Sequence, residues 1–220
     1  MFGQEFFENS LFSYENITEP SSSDPNVAKT DPDIMEAQTH AIKESSRRYF
    51  QGPSVWPRRT VFRNLPEALG AELEYGYRKY IIYDPKIKDS SKLKETVPTE
   101  EAIHLQQKGK EVLLPLVIVY DLGIMKYIVP IGRILYEGGI RPIAKKSDLP
   151  IPNGYPEVWY KMAGEIDSVI PLKVWYDTAQ KDLENGGKPN RVLDLLKNPS
   201  VKDIIEKYTI RPKSLNIMYV

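Results

Sequence analysis

Five arginines, Arg47, Arg48, Arg58, Arg59 and Arg63, fall within Ser45 to Pro66, a stretch with no acidic side chain. They are half of the chain's ten arginines, so basic charge is concentrated here although the formal net charge is zero. A guanidinium fork can grip two phosphate oxygens and also stack on an aromatic plane. Tyr49, Phe50, Trp56 and Phe62 are interleaved with these arginines, a composition suited to a nucleic-acid backbone. Residues 1–44 carry nine acids against Lys29 and Lys43. The competing reading is therefore a basic face that pairs with the acidic arm of the same or a neighbouring molecule. Both can hold together in an array.

Other chemistry has weaker support. With no cysteine, disulfides and thiolate metal sites are excluded. His40 and His104 are the only histidines, with no ligand spacing between them, and both read as surface or rim residues. Glu72 and Glu74, two apart on an expected helix, do not share a face. Asp121 lies inside an apolar stretch and is the best lone candidate for a perturbed carboxyl, although a hydrogen bond at a helix end explains it more simply. No GxGxxG, GxxxxGK[ST] or GxSxG loop occurs. No catalytic residue, metal or cofactor is expected, nor a small-molecule substrate. Zero net charge argues against a generically basic coat, so any nucleic-acid contact must be local. The acidic, polar first twenty residues do not read as a secretory leader. The apolar stretch from Val112 to Tyr136 is interrupted by Pro115, Asp121, Lys126, Pro130 and Arg133 and reads as core rather than as a membrane span.

The elements expected to carry these residues are mainly helical. Residues 1–29 read as an extended acidic arm. A first helix is predicted from Thr30 or Asp31, with Pro32 at its first position, to about Phe50. Its apolar face is thin, which suits a helix lying on a polar partner. Gln51 to Arg63 is a connector. A second helix follows from Asn64, carrying Leu65, Leu69, Leu73, Tyr77, Tyr80 and Ile81 at helical spacing and ending at Asp84-Pro85. Residues 86–98 read as a lysine-rich loop. Helix is predicted from Thr99 through Tyr136, kinked near Pro115 and Pro130. The alternative there is a pair of short strands, Leu116–Tyr120 and Tyr127–Ile131. After a proline-rich loop over 140–156, a helix kinked at Pro171 reaches Asn185-Gly186-Gly187. Two short helices follow, Asn190–Lys197 and Pro199–Tyr208, and Thr209–Val220 reads as extended. The fold class is thus mainly α: an extended N-terminal arm followed by a compact helical bundle with proline-kinked helices. The expected division is arm 1–29, nucleic-acid-facing helix and basic connector 30–64, and helical core 65–220.

An acidic arm, the Arg47-Arg48 helix, the Arg58-Arg59 connector and a tyrosine- and proline-rich helical remainder resemble the coat proteins of filamentous viruses of hyperthermophilic archaea. The resemblance spans the whole chain as architecture and composition. It implies a virion structural protein, assembled in the host cytoplasm, that forms a helical capsid around linear double-stranded DNA with copies of itself and a second, related coat protein. Some members of that family carry a lipid envelope. Carried onto this sequence, Arg47, Arg48, Arg58, Arg59 and Arg63 would face phosphates, while Tyr49, Phe50 and Trp56 would seal the interface. From the residues alone, Trp56 reads as packing on the helical core rather than stacking on bases. The acidity of residues 1–29 departs from the family pattern and points the arm toward a neighbouring subunit. The alternatives are a non-catalytic DNA-binding accessory or regulatory protein, an enzyme of unknown type, and a protein-binding adaptor.

Overall fold

The computed structural model describes Pro20 and residues 31–65, 68–75, 78–121 and 126–209. The expected arm over 1–29 lies, apart from Pro20, outside the described residues. The protein is mainly helical, with a few short strands. It divides into two compact units, Met1–Gln107 with Ile140–Gly154, and Lys108–Gly139 with Tyr155–Val220. The expected boundary after residue 64 therefore falls inside the first unit, and the expected core over 65–220 is shared between the two.

In the first unit, helix α1 spans Pro32–Glu44 and continues as a wider π-helical segment over Ser45–Phe50. Its start follows the expected signals. Pro32 occupies the first turn, and the Asp31 carboxylate accepts from the Asp33 N–H at 3.1 Å. Near its end the Ser45 hydroxyl donates back to the Ala41 carbonyl at 2.7 Å, a backbone bond that favours bending. Gln51, at φ 50°, closes it. The sequence makes this helix look too polar for a core. Instead Ile34, Gln38, Ala41, Ile42, Ser45, Ser46, Tyr49 and Phe50 are all buried. The buried face combines aliphatic residues with polar ones that find partners, a combination that hydrophobic periodicity undercounts.

Strands β1 (Arg59–Phe62), β2 (Gly70–Tyr75) and β3 (Arg78–Tyr83) form one sheet in the order β1-β3-β2. β1 runs parallel to β3, and β2 antiparallel to it. The helix expected after Asn64 is thus replaced by β2 and β3. Tyr80, Ile81, Ile82 and Tyr83 are all buried, so both faces of β3 are covered and the alternation that betrays a strand is erased. Leucine and tyrosine spacings then mimic a helix. Glycines at 70 and 76 and the Tyr80–Tyr83 run are the strand signals. Val61, Leu65, Ala71, Leu73, Tyr80 and Ile82 form a cluster on one face. The opposite face meets α1, where Thr60 and Tyr83 both donate to the Gln38 carboxamide oxygen, at 3.1 and 2.9 Å.

After a 3-10 turn at Pro85–Asp89, helix α2 spans Ser91–Gln106 and packs on α1 and β2. The expected lysine-rich loop is therefore largely helical. Ser90 caps α2, and Pro98 is carried inside it, a residue that sequence rules read as a breaker. Gly70 permits the close approach of α2, because a Cβ there would stand 2.6 Å from a Glu101 carboxylate oxygen.

The second unit begins with helix α3 (Lys110–Leu113), strands β4 (Ile118–Asp121) and β5 (Lys126–Val129), and helix α4 (Ile131–Tyr136). The continuous kinked helix is corrected to the two-strand alternative: β4 and β5 pair antiparallel, Val119 opposite Ile128. Helix α5, Ile140–Lys146, belongs to the first unit and occupies part of the expected proline-rich loop. Helices α6 (Glu157–Val169), α7 (Leu172–Glu184), α8 (Asn190–Leu196) and α9 (Pro199–Thr209) complete the second unit. Pro115, Pro130 and Pro171 stand between elements rather than inside helices. The expected stop after α7 is present: Asn185 caps it, and Gly186 and Gly187 take φ 100° and 75°. Trp175 is fully buried, and the Tyr176 hydroxyl donates to the Leu135 carbonyl at 2.8 Å. Gly132 sits so close to α3 that a Cβ would fall 1.8 Å from the Leu113 carbonyl oxygen.

Replacing Gln38 with leucine keeps the bulk but removes the acceptor shared by Thr60 and Tyr83. The expected loss is about 1–3 kcal/mol from unpaired buried hydroxyls, read as a lower urea midpoint at an unchanged denaturant slope.

Candidate nucleic-acid interface

The five arginines do not converge on one point. Arg47 and Arg48 project from the π-helical segment, with Arg47 side-chain exposure at 64%. Both are engaged by Glu44, one turn earlier. Its carboxylate accepts from Arg47 Nη2 at 2.5 Å and from Arg48 Nε at 2.6 Å. Arg48 also lies 3.5 Å from Asp148. The two guanidiniums hold the Glu44 carboxyl down at about 2. Arg47 and Arg48 thus pair with Glu44 and Asp148, whereas the acidic arm weighed from sequence as their partner lies, apart from Pro20, outside the described residues. Glu44 borders the acid-free stretch, and its i,i+3 and i,i+4 spacing to these arginines is the readable signal.

Tyr49 and Phe50 do not reach solvent as an interface seal would require. Both are buried, and their rings meet edge to face at 5.2 Å. Lys146, at the end of α5, places its ammonium 5.7 Å from the Tyr49 ring centroid.

Trp56 overturns the expectation of core packing: it is 48% exposed. The loop that carries it is held from below by Gln106 of α2. The Gln106 carboxamide accepts from the Val55 N–H at 2.9 Å and donates to the Val55 carbonyl at 2.8 Å. The same oxygen accepts from the Ser46 hydroxyl at 2.9 Å. Arg58 follows two residues later, exposed, its backbone N–H bonded to the Lys79 carbonyl at 2.7 Å. Among the described residues, neither Arg58 nor Arg59 forms an ion pair with a carboxylate. Because β1 and β3 are parallel, Arg58 and Arg59 share one end of the sheet with Arg78 and Lys79. Arg63 lies at the other end, with its N–H on the Tyr83 carbonyl. At about 3.3 Å per strand residue, Arg58 and Arg63 stand roughly 16 Å apart.

The remaining polar candidates are placed as follows. On a strand, residues two apart do share a face, so Glu72 and Glu74 lie together, contrary to the helical expectation. Lys79 bridges them at 3.4 and 3.5 Å and donates to the Leu105 carbonyl at 3.3 Å. His104 is buried, against the expected surface position, and its Nδ1 bonds Gln107 Oε1 at 2.7 Å. His40 is exposed and lines a cleft of about 400 Å³ with Asp33, Glu36 and Lys94. Asp121 closes β4 in register with Lys126, and its side chain lies outside what is described. Burial, with the Glu101 carboxylate adding to it, pushes the Tyr83 hydroxyl well up, so it remains a neutral donor to Gln38. Among the described residues no cluster of three metal-ligating side chains occurs, and no helix is long and apolar enough to cross a membrane.

Comparison with known proteins finds no matching family, no similar characterised protein and no similar solved structure.

The Glu44 pair predicts a specific acid response. Its folded pKa of about 2 lies below the ordinary glutamate value of 4.5, so its stabilisation is complete above the unfolded pKa and is lost as pH falls toward 2. Glu44→Gln should lose less stability than the parent chain over that window, and carboxyl NMR should show Glu44 titrating near 2.

Proposed function

We propose that the protein is a non-catalytic structural protein that binds the backbone of linear double-stranded DNA without reading sequence, as a subunit of a helical virion coat. One observation carries the nucleic-acid part: the Gln106-clamped loop presents exposed Trp56 beside Arg58 and Arg59, neither paired with a carboxylate among the described residues. A loop fixed in advance loses little conformational freedom on binding. Arginines without an internal carboxylate can neutralise phosphates and release counterions at no cost in broken ion pairs. Arg47 and Arg48 are secondary contributors, because a phosphate must compete there with Glu44. Contacts of this kind position a protein without specifying sequence, and weak contacts add along a polymer. Self-association, a second related coat subunit, a lipid envelope and residence in the virion rest on the family resemblance.

A protein-binding adaptor is favoured by the same exposed edge, since tryptophan and arginine dominate interface hot spots. The two readings part on salt and ligand. Binding to random linear duplex DNA should weaken steeply with salt, and electron microscopy of the products should show regular filaments. Arg58→Ala with Arg59→Ala should reduce the log–log salt slope by roughly 1.8, at about 0.9 for each phosphate left without its arginine. Arg47→Ala with Arg48→Ala should reduce it less. An unchanged slope in the Arg58, Arg59 variant would remove the phosphate assignment. Discrete complexes in place of filaments would favour an accessory DNA-binding protein.

A further inference from the structure

An apolar side chain standing singly on a surface needs no special account. Trp56 differs because the chain on each side of it is fastened. Both backbone groups of Val55 are bonded to the Gln106 carboxamide, at 2.9 and 2.8 Å. The Arg58 N–H is bonded to the Lys79 carbonyl at 2.7 Å, one residue before β1 begins. Pro57 between them fixes its own φ and biases Trp56 toward extended backbone. Exposure alternates along this run: Trp56 and Arg58 are exposed, whereas Pro57 and Arg59 are half-buried. Over two residues at about 3.3 Å each, the indole and the guanidinium leave the backbone roughly 7 Å apart.

That separation suits one nucleotide, with its base on the indole and its phosphate on the guanidinium. Aromatic faces beside basic side chains are the platform on which single-stranded nucleic acid stacks, and every base has a π-face to offer. The acids of the same sheet are engaged elsewhere: Glu72 and Glu74 lie on β2, across β3 from β1, and Lys79 bridges both. Trp159 stacks on Tyr155 and Trp175 is fully buried, which leaves Trp56 as the exposed indole. Within an intact duplex the faces of the bases are covered by their neighbours. An indole reaches one only where the stack is opened, in a single strand, at a duplex end or at a kinked step.

We infer that Trp56 is a stacking platform for an unstacked nucleobase, with Arg58 on the adjoining phosphate. This edge then holds single-stranded DNA more tightly than backbone contact alone allows. The inference rests on the nucleic-acid reading above and adds to it a contact with bases. That contact tolerates any sequence, in keeping with backbone binding that reads none.

The test measures binding of the full chain to an oligothymidine, to an abasic strand of equal length, and to blunt-ended and hairpin-closed duplexes. Trp56→Ala, Trp56→Phe and the Arg58→Ala, Arg59→Ala pair are compared with the parent, their folding checked by circular dichroism. The parent should bind the oligothymidine roughly 5- to 150-fold more tightly than the abasic strand, the range that stacking of one base supplies. Trp56→Ala should erase that difference without altering the salt slope, because no phosphate contact is lost. Trp56→Phe should keep most of it. Oligothymidine should quench indole fluorescence in the parent and not in Trp56→Phe. A Trp56 dependence shared by the blunt duplex and absent from the closed one would extend the platform to duplex ends. Equal affinity for the oligothymidine and the abasic strand, with the salt slope still reduced in the arginine variant, would overturn stacking and leave the backbone reading standing. Binding to duplex alone would do the same, and binding to neither strand nor duplex would overturn both.

Discussion

Two buried glutamines hold the first unit together. Gln38, 2% exposed, collects the hydroxyls of Thr60 and Tyr83 from β1 and β3 onto α1. Gln106 collects the Ser46 hydroxyl and both backbone groups of Val55 onto the end of α2. A carboxamide carries donors and an acceptor, so one side chain can tie a helix, a strand or a loop at once. A buried carboxamide left unpaired is costly, so the α1 register, the sheet position and the loop path are set jointly. This explains how a thinly apolar helix can sit at the centre of a unit. Polar positions that would weaken an amphipathic stripe serve instead as junctions.

The same junctions give the candidate interface its form. The Gln106 clamp fixes the loop backbone, so Trp56 is displayed rather than packed, and the parallel pairing of β1 with β3 places Arg58 and Arg59 at one end of the sheet. Charge is then sorted by local spacing. Glu44, one helical turn before Arg47 and Arg48, takes both guanidiniums. Arg58 and Arg59 start a strand whose neighbours offer them no carboxylate among the described residues. One compositional patch is thus divided between arginines held by Glu44 and Asp148 and a pair near the exposed indole that meets no carboxylate among the described residues.

The second unit uses carboxylates where the first uses carboxamides. Asp167 accepts from the Leu172 N–H at 2.8 Å, and Asp182 accepts from the N–H groups of Arg191 and Val192 at 2.9 and 3.1 Å. These buried acids cap α7 and α8 in place of the residues just before each helix, which are the prolines Pro171 and Pro189 and offer no side-chain acceptor. Glu165 of α6 receives Lys207 and Tyr208 of α9 at 2.6 Å each, and the lysine holds its carboxyl below the usual range.

The sequence by itself determined the mainly helical character, the capped start of α1 at Asp31-Pro32, the Asn185-Gly186-Gly187 stop and the last two short helices. These depend on local backbone chemistry: a proline in the first turn, a side chain that accepts from an N–H two residues on, glycines that tolerate positive φ. Tertiary structure decided what local chemistry leaves open. Burial on both faces turned the Leu73–Tyr83 pattern into two strands, and Pro98 was carried inside α2 by packing against α1 and β2. Whether Tyr49 or Trp56 met solvent, and which arginines found a carboxylate, depended on Gln106, Glu44 and Asp148. Of these only Glu44 lies close enough along the chain to be read from spacing. The others act across 51 to 100 residues of chain, a separation at which sequence order carries no record of distance in space.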